Sequence, residues 1–355
     1  MSQDNIFESP EWQPSGNYGK FDDLATIHAR RTFSRFFLAI FIFLITANLV
    51  VFGLSFLIML IMGSAEYQAF LESSPIYEML MGTLPMYLTA FPILCLIVRP
   101  MPSHKREKRK LPLLELFYTF LVAEAFMTAG NLLGQTLTTS ISTFLGIEIN
   151  DATAELIVDT PVWLIFILAV IIGPIVEEFI FRKLMIDKLS IFGDRTAIIV
   201  SAVAFGLFHG NIFQFFYAAF LGLLLGYLYC RSGKITYTIV FHSIVNFIGS
   251  VAVIPILKYQ ELLLEGAIPE TGAELHEYLI ATMAMGSYTV LQYAMIIPGI
   301  IIFFNAIKYR LINVSNTAEI RIPKGKTANA VILNVGAILF LALSLISFGA
   351  SLFLG

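Results

Sequence analysis

Apolar runs alternate with short polar connectors along almost the whole chain. Nine runs stand out, at about 36–62, 79–98, 111–133, 161–186, 196–210, 212–230, 235–254, 287–307 and 328–354. Most reach the roughly 20 residues that a helix needs to cross a hydrocarbon layer about 30 Å thick. The fifth run is the shortest. The pattern predicts an all-α fold, a polytopic membrane helix bundle of about nine transmembrane helices. Residues 1–35 are polar, contain Pro10, Pro14, Gly16 and Gly19, and read as a disordered cytoplasmic tail. No signal-peptide pattern precedes the first run.

Charge tests the number of runs independently, because inside loops of membrane proteins collect Lys and Arg. With the N-terminus inside, 21 of the 22 basic residues fall in inside segments, and only Lys258 falls outside. Outside loops are acidic. They hold Glu66 and Glu72, then Glu148, Asp151, Glu155 and Asp159, then Glu261, Glu265, Glu270, Glu274 and Glu277. One helix more or fewer would scramble this alternation. The basic run His104–Lys110 reads as an orientation anchor rather than a lipid-headgroup or nucleic-acid patch.

Composition agrees. Hydrophobic residues are 57% of the chain and charged residues 13%, against about 25% charged in soluble domains. The net charge of -3 favours no nucleic-acid partner. Cys95 and Cys230 lie in apolar runs and read as free core residues. Gly206 with Gly210, and Gly222 with Gly226, are small-residue pairs that let the fifth and sixth helices approach closely.

Polar groups within the apolar runs need a reason, since a charge at the bilayer centre costs about 3 kcal/mol or more. The fourth run contains Gly173, Pro174, Glu177, Glu178 and Arg182. The fifth ends on Phe205 and His209, and the seventh contains His242 and Asn246. Glu178 and Arg182 are four apart and can pair on one helix face. Glu177 points about 100° away and needs a partner on another helix. His242 and Asn246 share a face. Pro174 frees the carbonyl of Val170 and bends the helix, making room beside Glu177.

These groups suit peptide-bond hydrolysis. A carboxylate bonded to an imidazole can hold a water and take its proton. A second imidazole and an amide one turn away can stabilise the oxyanion. The chain has no HExxH zinc helix, no GxGD aspartyl pattern and no evident GxSx nucleophile.

Glu177-Glu178-x-x-x-Arg182, Phe205-x-x-x-His209 and His242-x-x-x-Asn246 resemble the three motifs of the CAAX protease and bacteriocin-processing family. These are glutamic intramembrane endopeptidases related to the type II CAAX prenyl endopeptidases. The resemblance covers about 161–250. It implies that Glu177 and His209 activate the water and that His242 and Asn246 form the oxyanion hole. Glu178 and Arg182 would support the site, Glu178 also assisting in the chemistry, and Phe205 would pack beside it. It implies no metal and no other cofactor, although Glu177, Glu178, His209 and His242 are residue types that could bind zinc. The partners expected are the bilayer and a peptide or membrane-protein substrate, with a bacterial cell membrane as the setting.

The chain then divides into a tail (1–35), helices one to three (36–160), a catalytic core of helices four to seven (161–254), and an acidic outer loop with the last two helices (255–355). One geometric tension remains in this reading. His209 would lie about 20 Å along its helix from the inner end, and His242 only about 10 Å along its own. Glu124, in the third span, is a further intramembrane acid that reads as a proton relay, a substrate contact, a partner for a motif residue or a buried glutamate bonded to a neighbouring helix. Asn131, Gln292 and Asn305 read as interhelical hydrogen-bonding residues. Two rival functions are a secondary transporter, for which Pro298-Gly299 would echo Gly173-Pro174 as a broken helix, and a non-catalytic scaffold or immunity protein.

Overall fold

The computed structural model describes residues 18–149, 152–258, 272–314 and 318–353. Among these residues every element is helical. In chain order the helices are α1 (Tyr18–Met62), α2 (Ser64–Ser73), α3 (Pro75–Val98), α4 (Leu113–Leu145), α5 (Ala152–Asp159) and α6 (Val162–Phe192). Then come α7 (Asp194–Phe208), α8 (Ile212–Ser232), α9 (Ile235–Lys258), α10 (Gly272–Lys308), α11 (Thr327–Val331) and α12 (Val335–Phe353). The outer-loop acids Asp151, Glu261, Glu265 and Glu270 lie outside the described residues.

Eight helices are long and apolar enough to cross a membrane: α1, α3, α4, α6, α8, α9, α10 and α12. The protein is an integral, multi-pass membrane protein. The fifth expected span, α7, has only 15 residues. Its length of about 22 Å falls short of the hydrocarbon thickness. The chain turns back at Gly210, whose φ is +71°, and Asn211 caps α8 by accepting a hydrogen bond from the Gln214 amide at 2.8 Å. An α7–α8 hairpin that reverses inside the protein keeps the in–out parity of the remaining helices. Irregular backbone at membrane depth is tolerated where it lines a cavity.

The stretch read as a tail is helical from Tyr18, so α1 starts well before its apolar run; residues 1–17 lie outside the described part. Tertiary contact explains the early start. Ala29 and Phe33 are fully buried, and the Phe33 and His28 rings pack on Phe192 at the end of α6. The last run also splits. Asn334 interrupts it, donating to the carbonyls of Ala330 and Val331 and accepting from the Ala337 amide.

Glycines set the closest helix contacts. A Cβ on Gly222 would lie 2.9 Å from Ala202 Cα, and one on Gly206 would lie 2.6 Å from the Phe215 carbonyl, so α7 and α8 touch backbone to backbone. Gly130 and Gly134 bring α4 equally close to α8, and Gly299 brings α10 onto α4 at Leu121. Pro298 therefore sits in a helix that runs unbroken from Gly272 to Lys308. The Pro298-Gly299 pair serves packing, not a discontinuous helix. The largest buried cluster draws on α1, α3, α6, α7 and α12, so helices without motif residues wrap the motif-bearing hairpin.

The basic run after α3 does more than orient the chain. Arg106 reaches under the hairpin and binds Asp187 (3.1 Å), Asp194 (2.8 Å) and Ser190. Tyr229 donates to the same Asp187 carboxylate at 3.0 Å. Burial alone would raise the Asp194 pKa, but the Arg106 hydrogen bonds and charge hold it below the usual carboxylate range. Its contribution to stability is therefore present above the unfolded-state value of about 3.9 and is lost as pH falls below it. Backbone bonds His104 N–H to Asp187 O and Arg109 N–H to Ser232 O tie the loop to α6 and α8. Arg106→Ala removes the cation bound to the buried Asp194 carboxylate, while Asp187 keeps Lys183 at 2.7 Å, and a loss of about 3–5 kcal/mol is expected. Denaturation of the purified protein in detergent measures it, and an unchanged midpoint would contradict this role.

Candidate active site

The seven motif residues converge. Glu177 and Glu178 lie on α6, between two stretches of π-helix, Phe166–Ile172 and Phe179–Ile186. Glu177 and His209 are each 16 residues from Gly193, the turn between α6 and α7. Antiparallel packing thus brings both to one depth, about 24 Å from the turn. His242 sits about 10 Å along α9. The Phe205 ring lies 4.8 Å from the His209 ring and 5.5 Å from the His242 ring, edge to face with both. The tension in the helix lengths resolves because α7 and α9 do not start level. The path to the site is about 12 Å shorter along α9 than along α7.

The two glutamates differ in environment. Glu178 is fully buried between Arg182, whose Nε lies 3.0 Å from Oε2, and His242, whose Nδ1 lies 3.1 Å from Oε1. Arg182 is also fully buried. Its Nη1 donates to Ser201 Oγ at 3.2 Å, and its guanidinium stacks 4.9 Å above Phe205. Glu177 turns the other way. Its side chain is 19% exposed, and Oε2 is 3.7 Å from His242 Nε2 with no hydrogen bond among the described residues. It lines a cavity of about 510 Å³ together with Phe205, His209, His242 and Asn246.

Hydrogen bonds assign the imidazole tautomers, because a carbonyl only accepts. His209 Nδ1 donates to Phe205 O at 2.8 Å, which leaves Nε2 for other partners. His242 Nδ1 faces the carboxylate that Arg182 already neutralises, so Nδ1 carries a proton and Nε2 points to Glu177. This is the logic of an imidazole oriented by a buried carboxylate.

Asn246 makes a hydrogen bond that the sequence alone did not reveal. Its Nδ2 donates to Ala169 O at 2.8 Å. Ahead of Pro174 the helix runs in π register, with Gly173 N–H donating to Leu168 O, five residues back. In that register the missing proline N–H orphans the carbonyl of Ala169, not that of Val170. Asn246 satisfies it with one amide proton and keeps the other. A residue absent from the motif reading also reaches the site. A Cβ on Gly173 would be 3.3 Å from the Tyr87 hydroxyl and 3.7 Å from Glu177 Oε1, so α3 places a phenol beside the exposed glutamate. Tyr87 lies amid apolar residues, and nothing in its spacing marks it.

Among the described residues no three His, Cys, Asp or Glu side chains group as a metal site. The carboxylate oxygens of Glu178 face Arg182 and His242. Cys95 and Cys230 are both free thiols.

Comparison with known proteins agrees with the motifs. Residues 159–248, which span the seven motif positions, match the family described as "Type II CAAX prenyl endopeptidase Rce1-like". The chain is 27% identical over 183 residues to a Bacillus subtilis (strain 168) protein described as "Putative membrane peptidase YdiL". That alignment covers 49% of this chain and 72% of the relative. No solved structure matches. The resemblance to the CAAX protease family is borne out, and both matches support a membrane protease.

Proposed function

We propose that the protein is a glutamic intramembrane endopeptidase that cleaves a membrane-associated peptide or protein with water activated by Glu177. The observation that carries this reading is the division of labour between adjacent glutamates. Glu178 is enclosed by charge partners, while Glu177 faces the cavity within 3.7 Å of an imidazole. Glu177 takes a proton from water as its oxygen attacks the substrate carbonyl carbon. His209, with Nε2 free, accepts a hydrogen bond from that water and orients it. The carbonyl π electrons move to oxygen, and His242 and the second amide proton of Asn246 donate to the oxyanion. For this role His242 must carry a proton on Nε2 as well as Nδ1, and the resulting charge faces two carboxylates. As the C–N bond breaks, Glu177 returns its proton to the leaving amine. No covalent intermediate forms.

Asn246→Ala is expected to lower the cleavage rate by about 10²-fold or more through loss of an oxyanion donor. It also strands the Ala169 carbonyl, for a stability loss of about 1–3 kcal/mol. A rate near wild type would remove Asn246 from the chemistry. The distribution of basic residues puts the Arg106 face in the cytoplasm, and we place the protein in a bacterial cell membrane. Comparative proteomics of membranes carrying wild type or Glu177→Ala tests the function directly. The wild type should generate cleaved fragments that the variant does not, and identical fragment sets would overturn the reading.

A further inference from the structure

The cavity has a second acidic wall. Glu124 on α4 is only 3% exposed, and one of its carboxylate oxygens, Oε1, is buried with no hydrogen-bond partner among the described residues. It lines the same cavity as Glu177. Glu124, Thr128, Asn131 and Gln135 follow at i, i+4, i+7 and i+11, so they form one polar stripe on α4. The stripe runs about 16 Å, the reach of about five residues of extended peptide.

The groups around this carboxylate are neutral hydroxyls and amides, and none of them carries a compensating charge. The Thr128 hydroxyl is 2.9 Å from the Glu124 backbone carbonyl, to which it donates. On α10, Gln292 Nε2 donates to the Tyr288 hydroxyl at 2.9 Å, and its Oε1 faces Thr128 at 3.4 Å. The cavity lining contains two carboxylates and no Lys or Arg. A buried carboxylate at membrane depth is costly unless it is protonated or paired. No Lys or Arg of the cavity lining pairs with Glu124, and His242 faces the other two glutamates, so a cation for Glu124 can arrive with the ligand. A guanidinium fits best, because its planar fork of five donors matches a carboxylate bidentately.

We propose that Glu124 is the counter-ion for a basic side chain of the bound peptide. The protein then selects a substrate whose apolar segment carries an arginine, or a lysine, near the bond to be cut. This inference rests on the cavity being the peptide site proposed above. The basic residue sets the register, because pairing with Glu124 fixes which carbonyl reaches Glu177.

The test uses the full-length protein in detergent micelles and fluorescent peptides of alternating alanine and leucine. One arginine is moved a position at a time along the peptide, and each peptide has a partner with neutral citrulline in its place. Anisotropy reads binding, and mass spectrometry of the same samples reads cleavage. Arginine should bind about tenfold or more tightly than citrulline at one register. The preference should vanish in Glu124→Gln and persist in Glu177→Gln. Equal binding of arginine and citrulline peptides to the wild type would overturn the proposal, as would a preference that survives in Glu124→Gln. A Glu124-dependent preference without any cleavage by the wild type would support this site and sink the peptidase reading instead.

Discussion

Glu177→Gln is expected to abolish peptide-bond cleavage while leaving the protein folded. Glutamine keeps the shape but cannot take the proton of the attacking water. Removing a positioned base costs typically about 10²–10⁴ in rate. The fold should not suffer, because among the described residues Glu177 makes no salt bridge to Lys or Arg, and its contact with His242 Nε2 is at 3.7 Å. The variant should purify in wild-type yield and unfold at the wild-type midpoint. Cleavage of a membrane-protein substrate, or of the peptides described above, gives the rate. Activity within tenfold of wild type would remove Glu177 as the base and return attention to His209 and His242.

Arg182→Ala is expected to fail in the opposite way, through the fold. Arg182 is among the largest fully buried side chains, and it neutralises the equally buried Glu178. Its loss leaves a carboxylate in an apolar interior, for about 3–5 kcal/mol. It also removes the cation stacked on Phe205, the ring against which both histidines pack. We expect low yield, an early unfolding transition and no activity. The double variant Glu178→Gln with Arg182→Met separates the two effects. It contains no unpaired charge, so much of the stability should return. Cleavage should remain impaired, since a neutral amide no longer holds the His242 imidazole against a carboxylate. Full activity in the double variant would show that Glu178 and Arg182 only fill space.

The two variants differ because of where each carboxylate points, and spacing along α6 carried that information. Glu178 with Arg182 at i+4 had to pair, and Glu177 had to look elsewhere. The identity of the partner was not legible. The motif reading couples Glu177 with His209, whereas the nearest imidazole nitrogen to Glu177 is that of His242. Nor could spacing reveal Tyr87, which reaches the site from α3. Asn246 was legible as a site residue but not as the donor to Ala169, because that bond depends on a π register not evident in the residues.

Helix number shows the same division. Apolar length located the runs within a few residues, apart from the ends of α1, α4, α6 and α10 and the split of the last run at Asn334. The fifth run looked like a short span because hydropathy measures composition, not depth. Whether fifteen residues cross the bilayer or turn back within it depends on the glycine contacts with α8 and on the cavity beyond. Likewise Arg106 resembled its basic neighbours in the loop until the ends of α6 and α7 enclosed it.

By itself, then, the amino-acid order determined an all-helical membrane bundle, the six polar motif positions within its apolar runs and the Glu178–Arg182 pair. Those properties follow from periodicity and from the cost of a lone charge in lipid, both local to one helix. Tertiary structure decided which imidazole lies nearest Glu177, that Tyr87 reaches it, and that Glu124 shares the cavity. Such relations depend on distances between helices, and those are set by where glycine lets two backbones touch.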